Sequence, residues 1–324
     1  MPGMSQRMVS YLSVVLTGRN DNFGGDFNQR LFSALSYNHR LLAEAGVEYE
    51  LVFVEWRPVA GRLLLSDLIR EQLPDVAPRL IAYEVDERYH DAFSQNPRLQ
   101  FHEFIAKNVG IRRALGSYIL VTNTDIYLSR DIVNMIAKQA LRPMVLYRAT
   151  RVDLKSWLDG TNLDEAVLTD PRNQAALNIL KPPYLTNAAG DFLLLDRFSF
   201  HALRGFNEII RFAKIHIDAN FCFHARENGL LIADTGARVY HVGEGTFRAQ
   251  RRVYRDRPSD APWGDNWRKQ MLYDNAPNWG LGDAPVIERN ARHFRVEFDD
   301  RAVPPLVALR RVTKAAFVPT EFKT

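Results

Sequence analysis

Short apolar runs with little polar alternation recur along the chain: Leu12–Leu16, Leu51–Val54, Leu80–Tyr83, Tyr118–Thr122, Val145–Tyr147, Phe192–Leu195, Leu230–Ala233 and Val239–Val242. A strand with one wet face alternates apolar and polar residues; a strand covered on both faces does not. Helical patterns lie between the runs. Asp26–Ala45 sets Phe27, Leu31, Leu35, Leu41 and Leu42 near one face, opens with Asp26 three residues before Gln29 in capping-box fashion, and stops at Gly46. His102–Leu115 ends at Gly116, and Ser129–Leu141 starts on a good N-cap residue and stops before Pro143. Strands alternating with helices at this spacing predict an α/β fold with a doubly wound, mostly parallel central sheet.

The rhythm breaks over residues 149–189, rich in Asp, Asn, Pro and Thr, which reads as an irregular excursion of the kind that carries binding function. Beyond Val242 the chain turns to Arg, Asp, Asn, Trp and Pro and reads as a loop-rich extension. With 324 residues, 46% of them apolar and 25% charged, there is ample chain for a sizeable core, and disorder or coiled coil is excluded for the whole. A net charge of +4 does not call for a nucleic-acid partner. Cys222 is the only cysteine, so intramolecular disulfides and multi-cysteine metal sites are excluded. No apolar stretch is long enough for a membrane span or a signal-peptide core, which makes a cytoplasmic protein the expectation. Two further features are read as surface. The run Arg248–Arg257 holds five arginines beside Phe247 and Tyr254, and residues 306–318 set Leu306, Leu309 and Val312 against Arg310, Arg311 and Lys314. A solvated face accounts for the first. The second is a terminal amphipathic helix, either docked on the core or resting on an anionic membrane.

The sequence lacks a phosphate-binding G-x-x-x-x-G-K-[ST], a G-x-S-x-G elbow and an H-E-x-x-H pair; Gly243-Glu-Gly245 alone means little. Chemistry gathers instead where α/β sheets place ligands, outside the carboxyl ends of strands. Leu12–Leu16 runs into Thr17-Gly18-Arg19-Asn20-Asp21, Leu51–Val54 into Glu55-Trp56, and Tyr118–Thr122 into Asn123-Thr124-Asp125. Later come Gly190-Asp191, Ile217-Asp218 and Tyr240-His241.

These blocks resemble the GT-A-fold glycosyltransferases, family 2 in type. SVVLTGRND is similar to that family's opening strand and loop, AKNVGIRRALGSYILVTNTD to its helix–strand–DXD block, and GDFLLLDRFSFHALRGFNE with HIDANFCFHARENG to its acceptor-side block. The resemblance spans residues 9–245, a donor half over about 9–128 and an acceptor half over about 129–245, and leaves 246–324 as an extension. It implies a nucleotide-sugar donor, expected to be UDP-linked, a divalent cation (Mn²⁺ or Mg²⁺), and transfer of a hexosyl or N-acetylhexosaminyl group to a saccharide or other hydroxyl acceptor, in polysaccharide or glycoconjugate synthesis. Asp125 and His241 match the metal positions, with Asn123 in place of the first Asp of DXD. Thr17, Gly18 and Arg19 would line the nucleoside, Glu55 would accept from the base, Asn123 and Thr124 would complete the donor loop, and Lys107 and Arg112 would face the diphosphate. The last two stand five residues apart, about 140° around a helix, so Lys107 is favoured. An inverting transfer needs a carboxylate to take the acceptor proton. Asp218 is the first candidate and Asp191 the reserve, although Asp218 before a helix reads equally as an N-cap. A binding protein with degenerate chemistry and a nucleotidyltransferase are the alternatives.

Overall fold

A computed structural model describes residues 10–155, 163–242, 269 and 271–304. The chain forms β1 (Leu12–Gly18), α1 (Phe27–Glu44), β2 (Tyr49–Trp56), α2 (Leu65–Gln72), β3 (Leu80–Val85), α3 (Arg88–Phe93), α4 (Glu103–Arg113), β4 (Tyr118–Val121), β5 (Ile126–Leu128), α5 (Arg130–Ala137), β6 (Val145–Leu154), α6 (Glu165–Thr169), β7 (Gln174–Asn178), β8 (Leu193–Asp196), α7 (Arg197–Ala202), α8 (Ile217–Glu227), β9 (Leu231–Val242), β10 (Val286–Asn290) and β11 (His293–Val296). One sheet runs in the order β10-β11-β3-β2-β1-β4-β8-β6-β9-β5, with β7 on the flank of β6. From β11 through β4 every neighbour is parallel; β8 then enters antiparallel between β4 and β6.

The unalternated runs have a direct cause. Successive residues of β1 and β2 point into different cores. Val14, Leu16, Leu51 and Phe53 pack with Leu31 and Leu35 of α1 and Ile132 of α5, whereas Val15 and Val52 pack with Ile111 of α4, Phe200 and Phe221. Burial of each such side chain contributes about 1.5–3 kcal/mol, so a polar residue on either face is costly. Gly110 lets α4 lie against the sheet, because a Cβ there would come within 2.7 Å of Val15 Cγ1. That close approach carries Lys107, one turn earlier, to the carboxyl ends of the parallel strands.

Several expectations need revision. The capping box at Asp26 does not form. The α1 start has no side-chain cap, and the Asp26 carboxylate instead accepts from Arg30 Nε at 3.0 Å. Ser129 does cap α5 by accepting from Ile132 N, but the helix stops at Ala137, two residues before Gln139 adopts a positive φ of 49°. The two runs at 230–242 are one continuous strand, β9. Residues 149–189 are not an irregular excursion throughout: β6 continues to Leu154, and β7 pairs antiparallel with it, Val152 opposite Leu177. The extension is also more regular than its composition implies, since β11 joins the sheet parallel to β3 with His293 opposite Ala82. Both β10 and β11 are short and charged, so no apolar run announces them. The Arg248–Arg257 run and the amphipathic tail at 306–318 lie outside the described residues. Among the described residues no helix is long and apolar enough to cross a membrane.

Candidate active site

Four of the segments singled out in the sequence meet at the carboxyl end of the parallel strands. The loop after β4 carries Asn123, Thr124 and Asp125; the turn Ala189–Asp191 precedes β8; β9 and β6, in register with His241 opposite Asp153, end beside them; and α8 brings Asp218 from below.

Asn123 is the hub. Its Oδ1 accepts from Lys107 Nζ at 2.6 Å, and its Nδ2 donates to Asp191 Oδ1 at 2.6 Å. Lys107 is fully buried and also donates to Glu103 Oε1 at 2.7 Å and Gly190 O at 3.1 Å. All three ammonium donors are thus engaged, and Lys107 fastens the donor loop to the 189–191 turn. Facing a diphosphate, as the resemblance implied, would require it to leave these partners. Arg112 lies elsewhere. Its guanidinium donates to Pro277 O at 3.0 Å and stacks over the Trp279 ring at 5.2 Å, binding the C-terminal segment to α4. The 140° divergence of the two side chains is the reason.

Asp191, the reserve base, is buried, and both of its carboxylate oxygens are committed. Oδ1 accepts from Asn123, and Oδ2 accepts from Arg151 Nη1 at 2.6 Å. Asp218 is the second residue of α8 and does not cap it; its Oδ2 accepts from Gly190 N at 2.7 Å. Among the described residues its Oδ1 has no hydrogen-bond partner, and the side chain is half-buried.

Asp125 Oδ2 meets two cationic groups, Arg30 Nη1 at 2.5 Å and His241 Nε2 at 3.5 Å. Burial pushes the Asp125 carboxyl up, but the charge and hydrogen bond of His241 and the charge of Arg30 outweigh it and hold the group at about 2. The His241 ring is sandwiched, with Nδ1 at 3.2 Å from Asp153 Oδ1. Burial disfavours its charge, yet the carboxylates of Asp125, Asp153 and Asp191 raise it to about 10.

The nucleoside candidates line the ends of β1 and β2. Thr17 Oγ1 donates to Val54 O at 2.9 Å, and Arg19 donates to Arg57 O and Asp21. Gly18 keeps its place because a Cβ would meet Leu65 Cδ1 at 2.9 Å. Glu55 is only 1% exposed, which rules out an ordinary surface ion pair. Its Oε1 accepts from Ser66 N at 3.0 Å at the start of α2, while Oε2 has no partner; burial raises its carboxyl to about 8.

Sequence reasoning missed Arg30, Arg148, Arg151 and Asp153. Arg148 is wholly buried in β6 and donates to the carbonyls of Leu185, Asn187 and Ala189, which shapes the turn before Asp191. Arg151 and Asp153 carried a signal: they alternate with Val152 and Leu154, the period of a strand.

No family model matches the sequence, and no curated protein matches it either. Among solved structures the chain is similar to the catalytic domain of Drosophila β1,4-galactosyltransferase 7 in complex with xylobiose, at 12% identity and a TM-score of 0.43 over 90% of this chain and 96% of that one. It is similar to a mannosyltransferase from Pyrobaculum calidifontis in complex with GDP-Man and Mn²⁺, at 15% identity and a TM-score of 0.44 over 85% of this chain and 64% of that one. It is also similar to a protein assigned as a glucose-1-phosphate thymidylyltransferase from Bacillus anthracis, at 12% identity and a TM-score of 0.37 over 78% of this chain and 97% of that one. All three scores fall below 0.5, so the chemistry of the site is read from its own residues.

Proposed function

We propose that this protein is a GT-A glycosyltransferase that moves a sugar from a UDP-sugar to the hydroxyl of a saccharide or similar acceptor, with inversion. The observation that carries the reading is the meeting of the Asn123–Asp125 loop, His241 and Asp218 at the carboxyl end of the parallel strands. That is where open α/β sheets bind ligands. Thr17, Gly18 and Arg19, at the end of β1, would line the nucleoside, and the acceptor would bind over the side of Gly190, Asp191 and Asp218.

The donor set fits a divalent cation as a two-ligand site. Asp125 offers a carboxylate oxygen, and His241, charged between the two carboxylates of this structure, would offer Nε2 on giving up the proton held there, while its other nitrogen stays oriented by Asp153, the arrangement that commonly fixes a ligating imidazole. Among the described residues no group of three or more His, Cys, Asp or Glu side chains is placed to hold a metal. The remaining positions would therefore fall to substrate phosphates and water, as is usual for Mg²⁺ and similar ions at phosphate sites. Bound there, such a cation offsets the negative charge of a diphosphate leaving group.

The protein's own part is proton transfer and orientation. Asp218, held through Oδ2 by the Gly190 amide, presents Oδ1 to take the acceptor hydroxyl proton as the hydroxyl attacks the anomeric carbon and the nucleoside diphosphate departs. Asp191, clamped by Asn123 and Arg151, positions the turn that carries Gly190.

The test is thermal melting with UDP, GDP and CDP, each with and without Mn²⁺, followed by turnover of UDP-sugars. A ligand at about 100 times its Kd adds roughly 2.7 kcal/mol. A UDP shift that needs Mn²⁺, and Asp218→Asn that keeps this shift but loses about 10²-fold or more of transfer, support the reading. Pyrophosphate release from a nucleoside triphosphate would replace it with a nucleotidyltransferase. Nucleotide binding with no turnover of any donor would leave a binding protein.

A further inference from the structure

We propose that Arg30 is a resident counter-cation of the candidate metal site: it holds Asp125 while the site is free of metal and competes with a divalent cation for that carboxylate. The inference rests on the two-ligand reading above. The oxygen concerned is a single atom. Asp125 Oδ2 both faces His241 Nε2 at 3.5 Å and accepts from Arg30 Nη1 at 2.5 Å. A divalent ion ligated by that oxygen and a guanidinium hydrogen-bonded to it are like charges at one position, so occupation by one disfavours the other.

The arrangement is built rather than incidental. Arg30 stands on the first turn of α1, with its side chain only 12% exposed. Its Nε donates to Asp26 Oδ1 at 3.0 Å, its Nη2 donates to Phe23 O at 3.2 Å, and the guanidinium lies 5.9 Å from the centre of the Phe27 ring. Those contacts survive release of Asp125. A buried cation stripped of every partner would be strongly disfavoured, whereas Arg30 keeps two acceptors, one of them the half-exposed carboxylate of Asp26. Exchange at Asp125 is therefore accessible without unfolding the turn. The same contacts explain why Asp26 is turned away from capping α1. The consequence is a nucleotide-free protein with weak affinity for divalent ions. Its cation site is completed when substrate phosphates add the ligands that a single carboxylate and an imidazole lack.

The experiment is a Mn²⁺ titration of the full-length protein followed by electron paramagnetic resonance of the free ion, with and without UDP. It uses the parent, Arg30→Gln, Arg30→Lys and Asp125→Asn. Without nucleotide, Arg30→Gln is expected to bind Mn²⁺ at least about 10-fold more tightly than the parent. Arg30→Lys, which keeps the charge and guards against a folding defect in the neutral variant, is expected to stay near the parent. Equal or weaker Mn²⁺ binding by a folded Arg30→Gln overturns the competition. Binding that needs Asp125 but ignores residue 30 overturns it while leaving the metal reading in place. Absence of Mn²⁺ binding in the parent and in Arg30→Gln, with UDP present, overturns both.

Discussion

Asn123 Nδ2 donates to Asp191 Oδ1 across 2.6 Å, so the residue that stands where a DXD motif has its first aspartate is a hydrogen-bond donor to a buried carboxylate. An aspartate cannot play that part. Asn123→Asp would set one carboxylate against another, with Lys107 on one side of the pair and Arg151 on the other but no donor between them. The variant that looks like a repair of the motif is therefore expected to be less stable by about 1–3 kcal/mol, the range for a buried polar group left without its partner. In a chain of this size that lowers the melting temperature by several degrees. Calorimetry of the two proteins at neutral pH decides the matter, and a variant as stable as the parent would mean that the amide is not the hub described above.

Lys107 tests the same hub from its other side. It is wholly buried among Glu103, Asn123 and Gly190, so Lys107→Met removes a cation from three acceptors at once. Breaking a buried pair typically costs about 3–5 kcal/mol because the remaining charge is stranded. Lys214, 3.6 Å from Glu103 Oε2, relieves part of that. The expected result is a large fall in the urea midpoint of unfolding, whether or not nucleotide is present. A variant of parental stability that has lost only nucleotide binding would return Lys107 to the diphosphate.

How much of this was legible in the sequence follows from which physical signals are local. The buried parallel strands were visible because both faces demand apolar residues, and Ser129 announced α5 as its cap. The position of Asn123–Asp125 and His241 at strand ends was legible too, because the apolar runs before them stop there. What could not be read were pairings made across the sheet. Nothing local shows that Arg30 of α1 reaches Asp125, 95 residues away, or that Asp26 prefers Arg30 to its own helix. The edge strand β11 was invisible for a different reason: its pairing to β3 is carried by backbone hydrogen bonds, and its residues His293, Phe294, Arg295 and Val296 carry no continuous apolar signature.

Arg112 separates the two roles proposed for the cations of α4. Its contacts are with Pro277 and Trp279, and a Cβ on Gly282 would run into its guanidinium at 2.3 Å, so the C-terminal segment is fitted around it. Arg112→Ala is expected to lower stability by about 1–2 kcal/mol through lost stacking and a lost hydrogen bond. Affinity for UDP in a calorimetric titration is expected to stay within twofold of the parent. A tenfold loss of UDP affinity with stability unchanged would place Arg112 at the donor after all.

The pH dependence of stability should turn over near pH 6.5, because buried groups of opposite sign meet there. His90 accepts from the Trp56 indole through Nδ1 and lies with its ring centre 4.8 Å from that of His102. Burial, reinforced by Arg57 for His90 and by His90 itself for His102, lowers them to about 4 and about 3. Their folded values lie below the ordinary histidine value of 6.5. The unfolded chain therefore takes up protons first, and stability falls as pH drops from 6.5 towards 4. Glu55 has the opposite sign. Its folded value is raised to about 8 from 4.5, so its contribution is complete below 4.5 and is lost as pH rises towards 8. Each group bends the profile by at most about 1.4 kcal/mol per pH unit. Between 4.5 and 6.5 these two histidines, joined by His39, His201 and His293, which burial also lowers, outweigh Glu55 and Glu208, the carboxyls that burial raises; above 6.5 the histidines no longer contribute, and His241, raised to about 10, adds to the decline. Urea unfolding from pH 4.5 to 8.5, followed through tryptophan fluorescence, should show the maximum. His102→Phe should flatten the acid limb and Glu55→Gln the alkaline one. An acid limb unchanged in His102→Phe would show that this ring is already protonated in the folded protein.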